Sequence, residues 1–130
     1  MNMNIVKLLV VPGLLFLVLT GFGYLVSKGG KPYNNLLFNI HKLIALGAVI
    51  LTGIRIFRLD PFNTFSNLAL LLIALAGLGV ISMFATGAVM SIKDEVPRAA
   101  LMVHRVFPAA ILFAFLGAVY LIINIQLVTL

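Results

Sequence analysis

The chain has 130 residues, of which 63% are hydrophobic and 9% charged, and its net charge is +6. A mean hydropathy of +1.23 excludes an ordinary soluble domain and predicts an integral membrane protein, whose positive charge we expect to face anionic lipid headgroups rather than nucleic acid. Cysteine is absent, which excludes disulfides, covalent c-type haem and cysteine-held iron–sulfur clusters.

Four stretches are each long and apolar enough to cross a hydrocarbon core of about 30 Å. They are residues 5–26, 36–57, 67–92 and 100–127. The connections between them hold Gly, Pro, Asn and most of the charge. The first span starts weakly basic, as a signal peptide does, but no small-x-small cleavage site follows, so we expect a retained helix. The sequence therefore predicts one all-α domain, residues 1–130, built as a four-transmembrane-helix bundle.

Histidine occurs twice, at His41 and His104, and each lies about four residues inside a span with a base directly after it, Lys42 and Arg105. Ionisable side chains are costly in a membrane, so their presence indicates function by default. Alternating crossings place the starts of the second and fourth spans on one side. Four residues at 1.5 Å each then put both imidazoles about 6 Å below that start. Two ring nitrogens at matching depth could bind one metal ion.

The two halves of the chain share an order of motifs, which predicts a duplicated helix hairpin. In each half a Thr-Gly pair is followed by a lysine, a proline and a histidine with its base. These are Thr20-Gly21, Lys28, Pro32 and His41-Lys42, and then Thr86-Gly87, Lys93, Pro97 and His104-Arg105. Hairpins repeated about an axis along the membrane normal would make the histidines face each other. Thr-Gly pairs are also common in membrane helices, and a third pair, Thr52-Gly53, fits neither half.

Small residues near the histidine depth would leave room for a flat macrocycle between the helices. Gly21 and Gly23 lie near the end of the first span, and Gly87 lies near the end of the third. Lys42 and Arg105 could bind the carboxylates of such a ligand through charge-assisted hydrogen bonds. Alternatively, the glycines only allow close helix packing and the bases reach lipid phosphates.

On these paired motifs the chain resembles the four-helix membrane b-type cytochromes, similar in plan to cytochrome b561-like proteins. The resemblance implies one haem b held axially by His41 and His104. It also implies electron exchange with a quinol or a partner redox protein, as a quinol-linked oxidoreductase or an electron-transfer subunit. The residues expected around the cofactor are Lys42, Arg105, Gly21 and Gly87.

Many such proteins carry four histidine ligands for two haems, whereas this chain has two histidines in all. It can therefore supply a single bis-histidine haem. One carrier near one face leaves most of the ~30 Å core uncrossed. We therefore expect exchange with quinol, a peripheral partner or a second subunit rather than conduction across the membrane.

Other functions compete with this interpretation. The carboxylates Asp60, Asp94 and Glu95 all lie in connections, so acid–base catalysis and a proton pump are poorly supported. The histidines could instead hydrogen-bond within the bundle of a non-redox assembly subunit or small transporter. A pigment protein whose histidines bind a chlorin is a third interpretation.

The distribution of bases predicts the orientation. The histidine side has six bases, Lys28, Lys31, Lys42, Lys93, Arg98 and Arg105, and the opposite side has three, Lys7, Arg55 and Arg58. The positive-inside rule then places the histidine side in the cytoplasm of a multi-pass cell-membrane protein. A homo-oligomer or a larger complex is the expected assembly.

Overall fold

The computed structural model describes residues 3–59 and 61–128, and the side chains of residues 10–59, 62, 63 and 65–124. Within those residues the chain forms helices and no strand. The helices are α1 (Met3–Lys28), α2 (Asn35–Phe57), the short α3 (Pro61–Thr64), α4 (Asn67–Ile92) and α5 (Arg98–Val128). Asp60 and the side chain of Lys7, both used in the sequence predictions, lie outside this description.

Four of these helices are long and apolar enough to cross a membrane, which confirms the four predicted spans. The qualifying segments are Val10–Gly29, Asn35–Phe57, Asn67–Ile92 and Arg98–Asn124. Each has at least the roughly 20 residues that a ~30 Å core requires. The all-α, multi-pass class is therefore established by helix length and composition.

Two of the long helices begin at short polar side chains. Asn34 Oδ1 accepts hydrogen bonds from the backbone N–H groups of Leu36 (3.0 Å) and Leu37 (3.1 Å). Ser66 Oγ accepts one from the N–H of Ala69 at 3.2 Å. The first N–H groups of a helix lack carbonyl partners, and these caps replace them. The Asn34 cap lets α2 begin one residue before the predicted span.

The chain divides into two compact units, Met1–Pro61 and Phe62–Leu130. In the first, α1 packs against α2. The chain reverses through residues 29–34, where Gly30 has a φ of +66°, a left-handed conformation that glycine adopts without steric cost. In the second, α4 packs against α5 across a connection of residues 93–97. Each unit therefore contains one hairpin of long helices.

Large apolar side chains cover the outside of these helices. Phe113 is 75% exposed, Leu43 68% and Ile81 66%, and α2 has no buried residue. An apolar surface this extensive is uncommon in a soluble protein. It is what hydrocarbon chains would contact, so the helices are suited to a lipid bilayer.

Small residues let α4 and α5 approach closely. A Cβ atom added at Gly79 would lie 2.7 Å from Ile111 Cγ1, and one at Gly117 would lie 3.2 Å from Leu72 Cδ1. Membrane helices commonly associate through small residues of this kind. These two glycines, far along the helices from the histidines, serve helix packing.

We expect Gly79→Val to destabilise the second hairpin, because its side chain would overlap Ile111. Overpacking of this kind costs about 1–3 kcal/mol. The measurement is the temperature at which the detergent-solubilised protein leaves its monodisperse size-exclusion peak. Gly77→Val is the matched control, since a Cβ at Gly77 meets nothing within 4 Å. Equal melting of the two variants would contradict the packing described here.

Candidate functional site

His41 and His104 occupy the same position in their helices. Each is the seventh residue, counted from Asn35 in α2 and from Arg98 in α5. At 1.5 Å per residue each lies about 9 Å along its helix from the first residue. The distance of ~6 Å predicted from the sequence is smaller, because α2 begins one residue and α5 two residues before the predicted span.

The imidazole of His41 lies against Gly23 of α1. A Cβ at Gly23 would be 3.0 Å from His41 Cε1 and 3.5 Å from Nδ1. The backbone of Leu19, one turn earlier in α1, interacts with the imidazole. Nδ1 itself is buried and has no hydrogen-bond partner among the described residues. A buried polar atom without a partner is costly, and no described residue offsets that cost at Nδ1.

The imidazole of His104 lies against Gly87 of α4 in the corresponding way. A Cβ at Gly87 would be 3.3 Å from His104 Cε1 and 3.9 Å from Nδ1. Here the Nδ1 atom has a partner, because Thr86 Oγ1 lies 3.0 Å away. The second hairpin thus repeats the contact between imidazole and glycine and adds a hydroxyl group to it.

The glycine that corresponds to Gly87 is Gly23, not the Gly21 of the first Thr-Gly pair. Gly23 precedes His41 by 18 residues and Gly87 precedes His104 by 17, whereas Gly21 precedes His41 by 20. A Cβ at Gly21 would meet nothing within 4 Å, and Gly21 lines a shallow apolar groove on α1. Counting residues backward from each histidine would have identified Gly23.

The threonines of the two pairs also differ. Thr20 Oγ1 donates a hydrogen bond to the carbonyl of Phe16 at 2.8 Å, and Thr86 Oγ1 lies 2.8 Å from the carbonyl of Ser82. The bond to the preceding turn is thus common to both. Thr86 also contacts a histidine. The two threonines therefore make the same bond within their own helix but have different neighbours in the adjacent helix.

The two bases after the histidines are both exposed. Lys42 Nζ lies 4.1 Å from the centre of the Phe38 ring. Phe38 in turn stacks on Tyr33 with ring centres 5.6 Å apart and planes 19° apart. A cation held over an aromatic face is stabilised by the ring quadrupole. The predicted contacts of Lys42 and Arg105 with ligand carboxylates remain predictions.

A conventional metal site built only from protein ligands is absent from the described part of the chain. No group of three or more His, Cys, Asp or Glu side chains comes together there. Asp94 and Glu95 are exposed in the connection before α5. His41 and His104 are the imidazoles that these residues could offer to a metal or cofactor.

Comparison with known proteins gives no family assignment. No protein-family model, no curated protein and no solved structure matches the chain.

We expect Gly23→Val to displace the His41 imidazole, because a side chain there would overlap Cε1. Gly21→Val is the matched control and should leave the ring in place. The measurement is the Hε1 and Hδ2 signals of the two histidines in haem-free protein in detergent, with His41→Ala used for assignment. Unchanged His41 signals in Gly23→Val would show that the contact does not exist in solution.

Proposed function

We propose that the chain is a membrane b-type cytochrome that binds one haem b with His41 and His104 as axial ligands. It would serve as an electron-transfer protein or subunit that exchanges electrons with a quinol or a partner redox protein. The observation that supports this most directly is the repeated placement of the histidines. Each is the seventh residue of its helix, and each lies against a glycine near the end of the preceding helix.

The donor set fits haem b. Imidazole is a common ligand of haem iron, and two protein imidazoles would leave no open iron position for oxygen, which would favour electron transfer over oxygen binding. Both histidines are partly exposed, so neither ring is closed off from such a group. When bound, haem b would supply a one-electron redox centre.

The remaining residues would then support the cofactor. Lys42 and Arg105 follow the histidines directly and are exposed, so they could bind the propionate carboxylates by charge-assisted hydrogen bonds. Gly87 and Gly23 make room for the imidazoles, and Gly21 leaves open space on α1. By the count of bases, this end would face the cytoplasm of the cell membrane, and the chain could work as a homo-oligomer or within a larger complex.

A second function is favoured by one observation, the contact of His104 with Thr86. The 3.0 Å separation of Nδ1 and Oγ1 satisfies one ring atom without any cofactor. In a non-redox assembly subunit or transporter the histidines would hold helices together in this way. For His41 the backbone of Leu19 interacts with the imidazole, which fits the same role, whereas Nδ1 of that ring has no hydrogen-bond partner among the described residues.

An absorption spectrum separates the two functions. The protein is expressed with a supplied haem precursor, purified, and measured oxidised and dithionite-reduced. A sharp reduced α-band of b type at about one haem per chain is the expected result. A colourless protein, or one with chlorin bands, would overturn the proposal.

The ligands are tested in the same measurement. His41→Ala and His104→Ala should each lose most of the α-band or shift it, because one axial bond is removed. Asn39→Ala, which replaces an exposed polar residue in the same helix as His41, is the control and should keep the band. Unchanged spectra in both histidine variants would show that other residues bind the haem.

A further inference from the structure

The hydroxyl group of Thr86 contacts three polar atoms. Its Oγ1 lies 2.8 Å from the carbonyl oxygen of Ser82, 3.1 Å from that of Met83, and 3.0 Å from His104 Nδ1. A hydroxyl has one proton to donate, and a carbonyl oxygen can only accept. Two oxygens 2.8 Å apart attract each other only if a proton lies between them. The Thr86 proton therefore belongs to the bond with the preceding turn.

Thr20 supports this assignment independently. Its Oγ1 donates to the Phe16 carbonyl four residues earlier at the same 2.8 Å. A threonine inside a helix commonly makes this bond to the preceding turn. The donation by Thr86 thus follows from helix geometry and does not depend on the histidine.

The protonation of His104 follows from this. Since the Thr86 proton is used on the backbone, Oγ1 can meet Nδ1 only as an acceptor, so Nδ1 must carry the proton. In a neutral imidazole the lone pair then lies on Nε2. Metal-binding histidines are commonly oriented in this manner, with one nitrogen donating to an oxygen acceptor and the other binding the metal.

We infer that Thr86 is a positioning residue that holds His104 in the Nδ1–H tautomer and so selects Nε2 as its metal-binding atom. The statement about the tautomer is independent of any cofactor. The statement about metal binding rests on the proposed function. His41 has no such acceptor at its Nδ1, so the two ligands of the proposed haem would be unequal, with His104 the more strongly oriented and the more basic.

The tautomer is tested in the haem-free protein. Long-range 1H–15N correlation spectra of ¹⁵N-histidine-labelled protein distinguish Nδ1–H from Nε2–H, and they are recorded at about pH 8, above the ordinary imidazole pKa of about 6.5. His41→Ala assigns the two sets of signals. Wild type should show the Nδ1–H pattern for His104. Thr86→Ser should keep it, and Thr86→Val, which preserves the shape but removes the acceptor, should move the proton toward Nε2.

Thr20→Val is the matched control, because it removes the same bond to the preceding turn in the other hairpin. It should leave the His104 pattern unchanged. An Nε2–H pattern for His104 in wild type would overturn the inference, and this measurement does not depend on whether any variant folds. An unchanged Nδ1–H pattern in folded Thr86→Val would overturn the role of Thr86.

The metal-binding part has a separate readout. Loss of such a supporting hydrogen bond costs about 10- to 100-fold in metal affinity. In a competition assay with apomyoglobin as the haem acceptor, Thr86→Val should therefore lose its haem at correspondingly lower apomyoglobin concentrations. Thr86→Ser should restore retention, and the reduction potential of Thr86→Val should become more positive. Haem affinity equal to that of wild type would overturn this part. If the protein binds no haem at all, the proposed function fails while the tautomer result stands.

Discussion

Each hairpin depends on the same constraint, which is that a polar ring must fit between two apolar helices. An imidazole needs space at the helix contact, and a glycine opposite it supplies that space. Cε1 of His41 would lie 3.0 Å from a Cβ at Gly23, and Cε1 of His104 would lie 3.3 Å from a Cβ at Gly87. The glycines near the histidines thus accommodate the imidazoles themselves, whereas the sequence suggested only room for a macrocycle. Gly79 and Gly117 perform ordinary packing further along α4 and α5.

The two hairpins differ in how the polar atoms of the ring are satisfied. Burying a polar atom without a hydrogen bond is unfavourable in any apolar environment, and a lipid-embedded helix offers few donors and acceptors. In the second hairpin, Thr86 Oγ1 lies within hydrogen-bond distance of His104 Nδ1 and satisfies that atom. In the first hairpin no described residue provides a hydrogen bond to Nδ1 of His41. The two hairpins thus repeat the contact between imidazole and glycine but differ in their polar contacts.

The single pair of histidines also bears on mechanism. A second haem of the same type would need two more axial ligands, and the sequence contains no further histidine or cysteine. In the proposed cytochrome, electrons would be exchanged near the histidines, each of which is followed by an exposed base, Lys42 or Arg105. That proposal therefore involves a partner that reaches the histidines from the lipid or from the aqueous phase, and not a chain of carriers through the bilayer.

Much of the fold could be predicted because bilayer thickness dictates the length of an apolar helix. The spans were located to within a few residues, and polar caps such as Asn34 account for part of the shift. The histidines were recognisable because ionisable residues are rare in apolar spans. Gly23 and the role of Thr86 were not recognisable from the Thr-Gly repeat. The Thr-Gly pair precedes its histidine by three more residues in the first half of the chain than in the second. Thr20 and Gly21 therefore lie almost one helical turn further along the helix from their histidine than Thr86 and Gly87 do.

The sequence by itself therefore determined the number of long helices and their membrane-spanning character, and it singled out two histidines within them, because these depend on composition and local spacing. The tertiary structure alone decided which glycine faces which imidazole and which histidine has a hydrogen-bond partner. Those contacts join residues 17 or 18 positions apart, and they depend on how far each helix extends before the chain reverses.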